Sequence, residues 1–290
     1  MVGLNFLSLK RFSILFLSLL LMNIGGSSAD LIGGPFRISQ SASQEIQPSV
    51  AYNSQDREYL VVFSKEDNGR MDIYGQRMRP DGRLIGGAFN IAWTAGHNKQ
   101  DPDVVYNVKH NQYLVVFCDT DESSPTKDKT IRGRRLGGKG TLLDTMDLYI
   151  QNVESGKSFG HPVVEYAFTS DRYLVAWDAW DAQILGTYDI FGRIVRPDGS
   201  FPSSRFPIVA NSIWPRQRPA LAYNRNKNQT MVLWEEYINT TGFWDIQGRQ
   251  VTGDGQPLPG TESYGWTGDN TRNPDRSALP NSSKDIKFMA

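Results

Sequence analysis

The residues best suited to chemistry in this sequence are a few acidic side chains set among apolar ones. Glu165 lies within Pro162-Val-Val-Glu-Tyr166, where comparable segments carry Ala51, Val105 and Ala222. Asp103 occupies the same kind of segment, Pro102-Asp-Val-Val-Tyr106, and Asp178 follows the run Tyr173-Leu-Val-Ala-Trp177. Two carboxyl groups about 5–9.5 Å apart are enough to cleave a glycosidic bond, one as acid and one as base or nucleophile. On that chemistry the catalytic candidates are Glu165 with Asp103 or Asp178. The structural alternative for each is a buried carboxylate bonded to an arginine or to water. The candidate ligand-binding residues are Trp93, Trp180, Trp214, Trp244 and Trp266. They fall in or beside connecting segments, where an aromatic face can stack on a sugar ring while carboxylates bond its hydroxyls. Trp177 and Trp234, inside strand-like runs, read as core.

Other chemistries find little support. The 3 histidines and 1 cysteine show no zinc-ligand spacing. Asp119-Thr-Asp121-Glu122 lacks the twelve-residue calcium-loop pattern. No Gly-x-Ser-x-Gly, P-loop or dinucleotide fingerprint occurs. No metal or cofactor is therefore expected, and Cys118, behind Val115-Val-Phe117, reads as a small buried hydrophobe.

The elements that must position these residues form an internal repeat, the feature to seek before any other. One unit runs Pro48-Ser-Val-Ala-Tyr-Asn53, Tyr59-Leu-Val-Val-Phe63, Asp72-Ile-Tyr-Gly-Gln-Arg77, Pro80-Asp-Gly82 and Phe89-Asn-Ile91. The same order returns from Pro102, Pro162 and Pro219, and Asn273-Pro274 opens a degenerate copy, so the anchor prolines lie 54, 60, 57 and 55 residues apart. Alternation in Pro48–Asn53 predicts a strand with two distinct faces, and Leu60–Phe63 one buried on both. Pro-Asp-Gly predicts a tight hairpin between a third and a fourth strand. Gly75, Gly133, Gly192 and Gly248, inside the third strand, predict close backbone approach or an aromatic cover.

Four strands per unit and no helical periodicity predict an all-β protein, a β-propeller. Residues 30–290 form one domain, with units at about 40–93, 94–153, 154–210 and 211–265. A partial unit at 266–290 plus 31–39 makes five blades, the last incomplete and closed by the N-terminal strand Gly33-Gly-Pro-Phe-Arg-Ile38. If the inner strand starts at the anchor proline, Trp93, His97, His161, Trp214 and Trp266 fall in loops entering it, on the same face as the second-to-third-strand loops.

The repeat resembles bacterial secreted β-propeller repeat proteins with Pro-x-Val-Ala-Tyr-Asn, Tyr-Leu-Val-Val-Trp and Asp-Ile-Tyr-Gly-Gln-Arg segments. The likeness covers residues 31 to about 260 well and 273–290 poorly, and the second unit departs from it at Thr130. It implies a propeller fold and an exported location, and no activity.

Residues 1–29 read as a signal peptide: Lys10 and Arg11, an apolar run over Phe12 to Ile24, then Gly25-Gly-Ser-Ser-Ala29. Beyond it, 29 basic residues (31 less Lys10 and Arg11) face 31 acidic ones, a net charge of −2. That balance gives no electrostatic reason to bind nucleic acid. A secreted protein, extracellular or periplasmic, is expected, with no membrane span after cleavage. The function expected from these features is a non-enzymatic binding or scaffold module, with a glycan or an extracellular protein as partner. A glycosidase-like hydrolase using channel or loop carboxylates is the alternative.

Overall fold

The structure, a computed structural model, describes residues 35–39, 41–181, 187–210, 214–238 and 242–259. The chain divides into Met1–Gln40 and Ser41–Ala290. In the first unit the described residues 35–39 contain no strand, so Phe36-Arg-Ile38 does not form the expected closing strand. The signal peptide, Trp266 and the partial fifth blade over 266–290 lie outside the described residues.

The second unit is a series of antiparallel meanders. The first sheet holds β1 (Glu45–Asn53), β2 (Glu58–Asp67), β3 (Arg70–Met78) and β4 (Leu84–Ala92) in chain order. The second holds β5 (His97–Asn107), β6 (Gln112–Asp121), β7 (Lys129–Gly137) and β8 (Leu148–Gln151). The third holds β9 (Lys157–Ala167), β10 (Arg172–Asp181), β11 (Thr187–Val195) and β12 (Phe206–Val209). The fourth holds β13 (Arg216–Asn224), β14 (Gln229–Ile238) and β15 (Phe243–Thr252). The first strands β1, β5, β9 and β13 lie side by side in that order, as blades do around an axis. No helix of the described residues is long and apolar enough to cross a membrane.

Local sequence explains the connections. Asn53 Oδ1 accepts from the amides of Gln55 and Asp56 at 2.9 Å, closing the β1–β2 turn. Asn107 and Asn224 repeat this in the second and fourth blades. In the third-to-fourth-strand hairpins Gly82, Gly199 and Gly255 adopt φ of 84°, 85° and 86°, a conformation that a Cβ disfavours.

The core lies between blades. One apolar cluster joins Leu60, Val62, Ile73 and Ile91 of the first blade to Val104, Tyr113 and Phe117 of the second. The next joins the second blade to the third around Trp177 and Phe159, and the last joins the third to the fourth around Ile190, Ile208 and Trp234. Each fully buried Val, Leu or Ile contributes about 1.5–3 kcal/mol, so adjacent blades hold one another in place. A Cβ on Gly192 would meet Phe206 Cζ at 3.0 Å and Ile208 Cδ1 at 3.1 Å. The strand glycine therefore lets the fourth strand's aromatic ring lie over the backbone.

The anchor prolines do not start the inner strands. Each sits three to five residues inside, at a register shift: Ile46/Ser49, Gln100/Asp103, Gln217/Ala220, and, opposite Pro162, Ala176/Asp178. Proline cannot donate to a ladder, so a strand tolerates it at a bulge, where one residue is left unpaired.

Candidate active site at the axis

These four bulges build the site. The residue before each anchor proline is left-handed: Gln47 (φ 56°), Asp101 (53°), His161 (45°) and Arg218 (53°). A residue with a side chain enters this region at a cost of about 1–2 kcal/mol, and such strain collects where function requires a side chain to be aimed. Four blades adopt the same conformation with four different polar residues. Among them lies a cavity of 330 Å³, lined by Pro48, Pro102, Pro162 and Pro219 with Ser49, Asp101, Asp103, His161, Val163 and Arg218.

On the β5 side, Asp101 accepts from the Gln47 amide group, and its own backbone N–H donates to Gln47 Oε1 at 3.1 Å. Ser64 Oγ donates to that same oxygen at 3.1 Å. Asp103 accepts from Ser49 Oγ at 2.7 Å and from the Val164 amide at 2.8 Å, tying the inner strands of three blades together. Burial pushes the Asp103 carboxyl above the ordinary range, and these hydrogen bonds offset part of the rise. Glu165 stands two residues beyond Val163 on β9 and does not line the cavity. Burial raises its pKa and the Asp103 charge adds to the rise, while Oε1 accepts from the Tyr166 amide at 2.8 Å.

On the opposite side a buried carboxylate acts from behind. Asp178, 2% exposed, accepts with Oδ2 from His161 Nδ1 at 2.7 Å and from the Arg218 amide at 3.0 Å. The bond to Asp178 raises the His161 pKa against the opposing effect of burial. Arg218 Nη1 lies 3.7 Å from Glu235, and its side chain is 61% exposed.

The structure thus brings Asp103 to the cavity wall, leaves Glu165 outside its lining, and places Asp178 behind His161 rather than facing a ligand. His97 opens β5 and His161 lies within β9, so neither is a loop residue. Trp93 is exposed between β4 and β5, and Trp180 is half-buried in β10. Trp244 packs on Tyr237 with ring centroids 5.4 Å apart, and Trp214 precedes β13. None of these four lines the axial cavity. Trp177 and Trp234 are buried in the inter-blade core. Cys118 is buried too, with its thiol pKa pushed well up by burial. Among the described residues no group of three or more His, Cys, Asp or Glu is arranged to hold a metal ion.

A second cavity, of 480 Å³, lies at the other end of the first blade, lined by Asp56, Arg57, Glu58, Arg77 and Arg79. Glu58 and Arg77 neutralise each other through two bonds of 2.6 and 2.7 Å, which leaves that cavity no poised acid or base.

Sequence reasoning missed Asp101, Arg218 and Gln47. The available signal was the proline: inside a strand it implies a bulge, and the residue before it is the one re-aimed.

No family model matches this chain, and no curated protein matches it closely. Solved structures do. A thermostable family-43 glycoside hydrolase matches with TM-score 0.51 at 11% identity, over 71% of each chain. The endo-arabinase of Bacteroides thetaiotaomicron VPI-5482 matches with TM-score 0.50 at 14% identity, over 77% of this chain and 79% of that one. The Hadza microbial sialidase Hz136 matches with TM-score 0.54 at 10% identity, over 73% of this chain and 45% of that one. At such identities the likeness establishes the fold: this chain is a β-propeller. It also corrects the expectation of a non-enzymatic binding or scaffold module, because the propellers it resembles are named for hydrolytic enzymes. That expectation rested on the lack of a local catalytic motif. Here the polar groups converge from four strands more than fifty residues apart, a convergence that no local motif can register.

Proposed function

We propose that this protein is an exported hydrolase that cleaves glycosidic bonds in the axial cavity, with Asp101 and Asp103 as the working carboxyl pair. The observation that carries this reading is the axial cavity itself, in which one strand presents two carboxyls to a space built by four matching bulges. Asp101 and Asp103 both line this cavity from the same bulged strand. Asp103, with its raised pKa, keeps its proton to a higher pH than an ordinary aspartate and is suited to protonate the leaving oxygen. Asp101, on the same cavity wall, is suited to take the proton of the attacking water. The Asp103 charge raises the pKa of Glu165 on the neighbouring strand, so Glu165 too holds its proton above the ordinary carboxylate range. The enzymatic names of the similar propellers support the reaction class, and the basic-then-apolar leader supports export.

The test is reducing-sugar release by the full chain from a panel of plant and bacterial polysaccharides and chromogenic glycosides. Turnover of at least one member, abolished in Asp101→Asn, Asp103→Asn double variants that still unfold cooperatively, is expected. Silence across the panel, or turnover that survives both substitutions, overturns the proposal.

A further inference from the structure

Two of the four equivalent bulge residues have basic side chains, and they are neighbours: His161 in the third blade and Arg218 in the fourth. One buried oxygen fixes both, because Asp178 Oδ2 bonds the His161 ring at 2.7 Å and the Arg218 backbone N–H at 3.0 Å. The His161 ring and the Arg218 backbone are thereby held at neighbouring points of the cavity wall. With Nδ1 bonded to Asp178, Nε2 is the His161 nitrogen left to meet a ligand in the cavity that this residue lines.

Asp178 balances the charge of His161, and the other carboxyls nearby are held by partners of their own. Asp101 is bonded to Gln47, and Asp103 to Ser49 and the Val164 amide. Glu235 accepts from Gln217 at 3.1 Å and reaches Arg218 only at 3.7 Å, beyond hydrogen-bond length. Arg218 is therefore an exposed guanidinium on the cavity wall whose ion pair with Glu235 is a long one. The cavity is divided, with carboxyls from β5 on one side and cations from β9 and β13 on the other.

We propose that the His161–Arg218 edge receives the carboxylate of an acidic sugar, so that the glycan taken by this site carries uronic acid units. This names the substrate class of the site proposed above and rests on that reading. Guanidinium and carboxylate match in a two-pronged, charge-assisted contact, with the imidazole Nε2–H as a further donor. A uronic acid held there turns its linkage toward Asp101 and Asp103. A neutral pentose or hexose leaves Arg218 unmatched.

The experiment compares a galacturonic acid trimer with its methyl ester by calorimetry on the full chain at pH 6. Wild type is expected to bind the acid about tenfold more tightly than the ester, the scale of one charged contact. Arg218→Gln, at an exposed side chain, brings the ratio close to one, and Glu235→Gln raises it by removing the competing carboxylate. Salt at about 0.5 M reduces the preference. Equal binding of acid and ester by wild type, or a ratio unchanged in Arg218→Gln, overturns the proposal. So does cleavage of a neutral arabinose trimer without binding of the acidic one, an outcome that leaves the hydrolase reading intact. Discrimination without cleavage of any glycoside supports the acidic-ligand site and removes the hydrolase reading instead.

Discussion

Removing the Asp178 carboxylate tests whether one buried group sets the geometry of two blades. In Asp178→Ala the Arg218 amide at the bulge loses its acceptor, which costs about 1–3 kcal/mol for an unsatisfied backbone donor. The His161 ring is 44% exposed and can turn to water, so its lost pairing adds about 1 kcal/mol or less. The sum is about 1–4 kcal/mol, a fall in Tm of roughly 2–16 °C for a domain of this size. The pH dependence has a definite sign. Asp178 raises the His161 pKa in the folded state. Its contribution is therefore complete below the unfolded histidine pKa of about 6.5 and is lost as pH rises through the folded value. The Arg218 amide contribution does not titrate. Thermal unfolding of wild type and variant at pH 6 and pH 9 should show a deficit at both, larger at pH 6. A deficit below about 0.5 kcal/mol at pH 6, or a larger one at pH 9, refutes the reasoning.

Three further outcomes follow from the same physics. Burial pushes the Asp72 carboxyl up to about 6, and its Oδ1 has no hydrogen-bond partner. Asp72→Asn should therefore stabilise the protein by about 1–3 kcal/mol at pH 8 and leave it unchanged near pH 3.5, in denaturant titrations. Lys99 is fully buried between Asp119 at 2.8 Å and Asp147 at 3.2 Å, so Lys99→Met leaves these carboxylates to Arg134, Arg132 and His97 alone and should cost about 2–4 kcal/mol at pH 7. Gly192→Ala drives a methyl against Phe206 and Ile208 and should cost about 1–3 kcal/mol, whereas Gly192→Ala with Phe206→Leu should recover part of it.

The blade was legible in the sequence because its rules are local. Alternation around Val50, the doubly buried Leu60–Phe63 run, the Pro-Asp-Gly hairpins and the covered strand glycines each follow from a few adjacent residues, and the structure has all of them. The site was less legible. Glu165 and Asp103 stood out as acids in apolar strands, and both are half-buried on the inner strands of their blades. Asp101 and Arg218 looked like ordinary charged residues beside a proline, and His161 like part of a loop. Only the bulge, with its left-handed residue, turns these positions toward a common cavity. The identity of each is free to vary from blade to blade because the conformation is repeated and the side chain is not.

The most direct test of the central claim is the rate of reducing-sugar release by wild type and by Asp103→Asn, measured side by side across the polysaccharide panel. The account predicts turnover of at least one substrate by wild type and a kcat lower by about 10²–10⁴ in the variant, with KM little changed. A wild type silent on every substrate, or an Asp103→Asn variant as active as wild type, contradicts it.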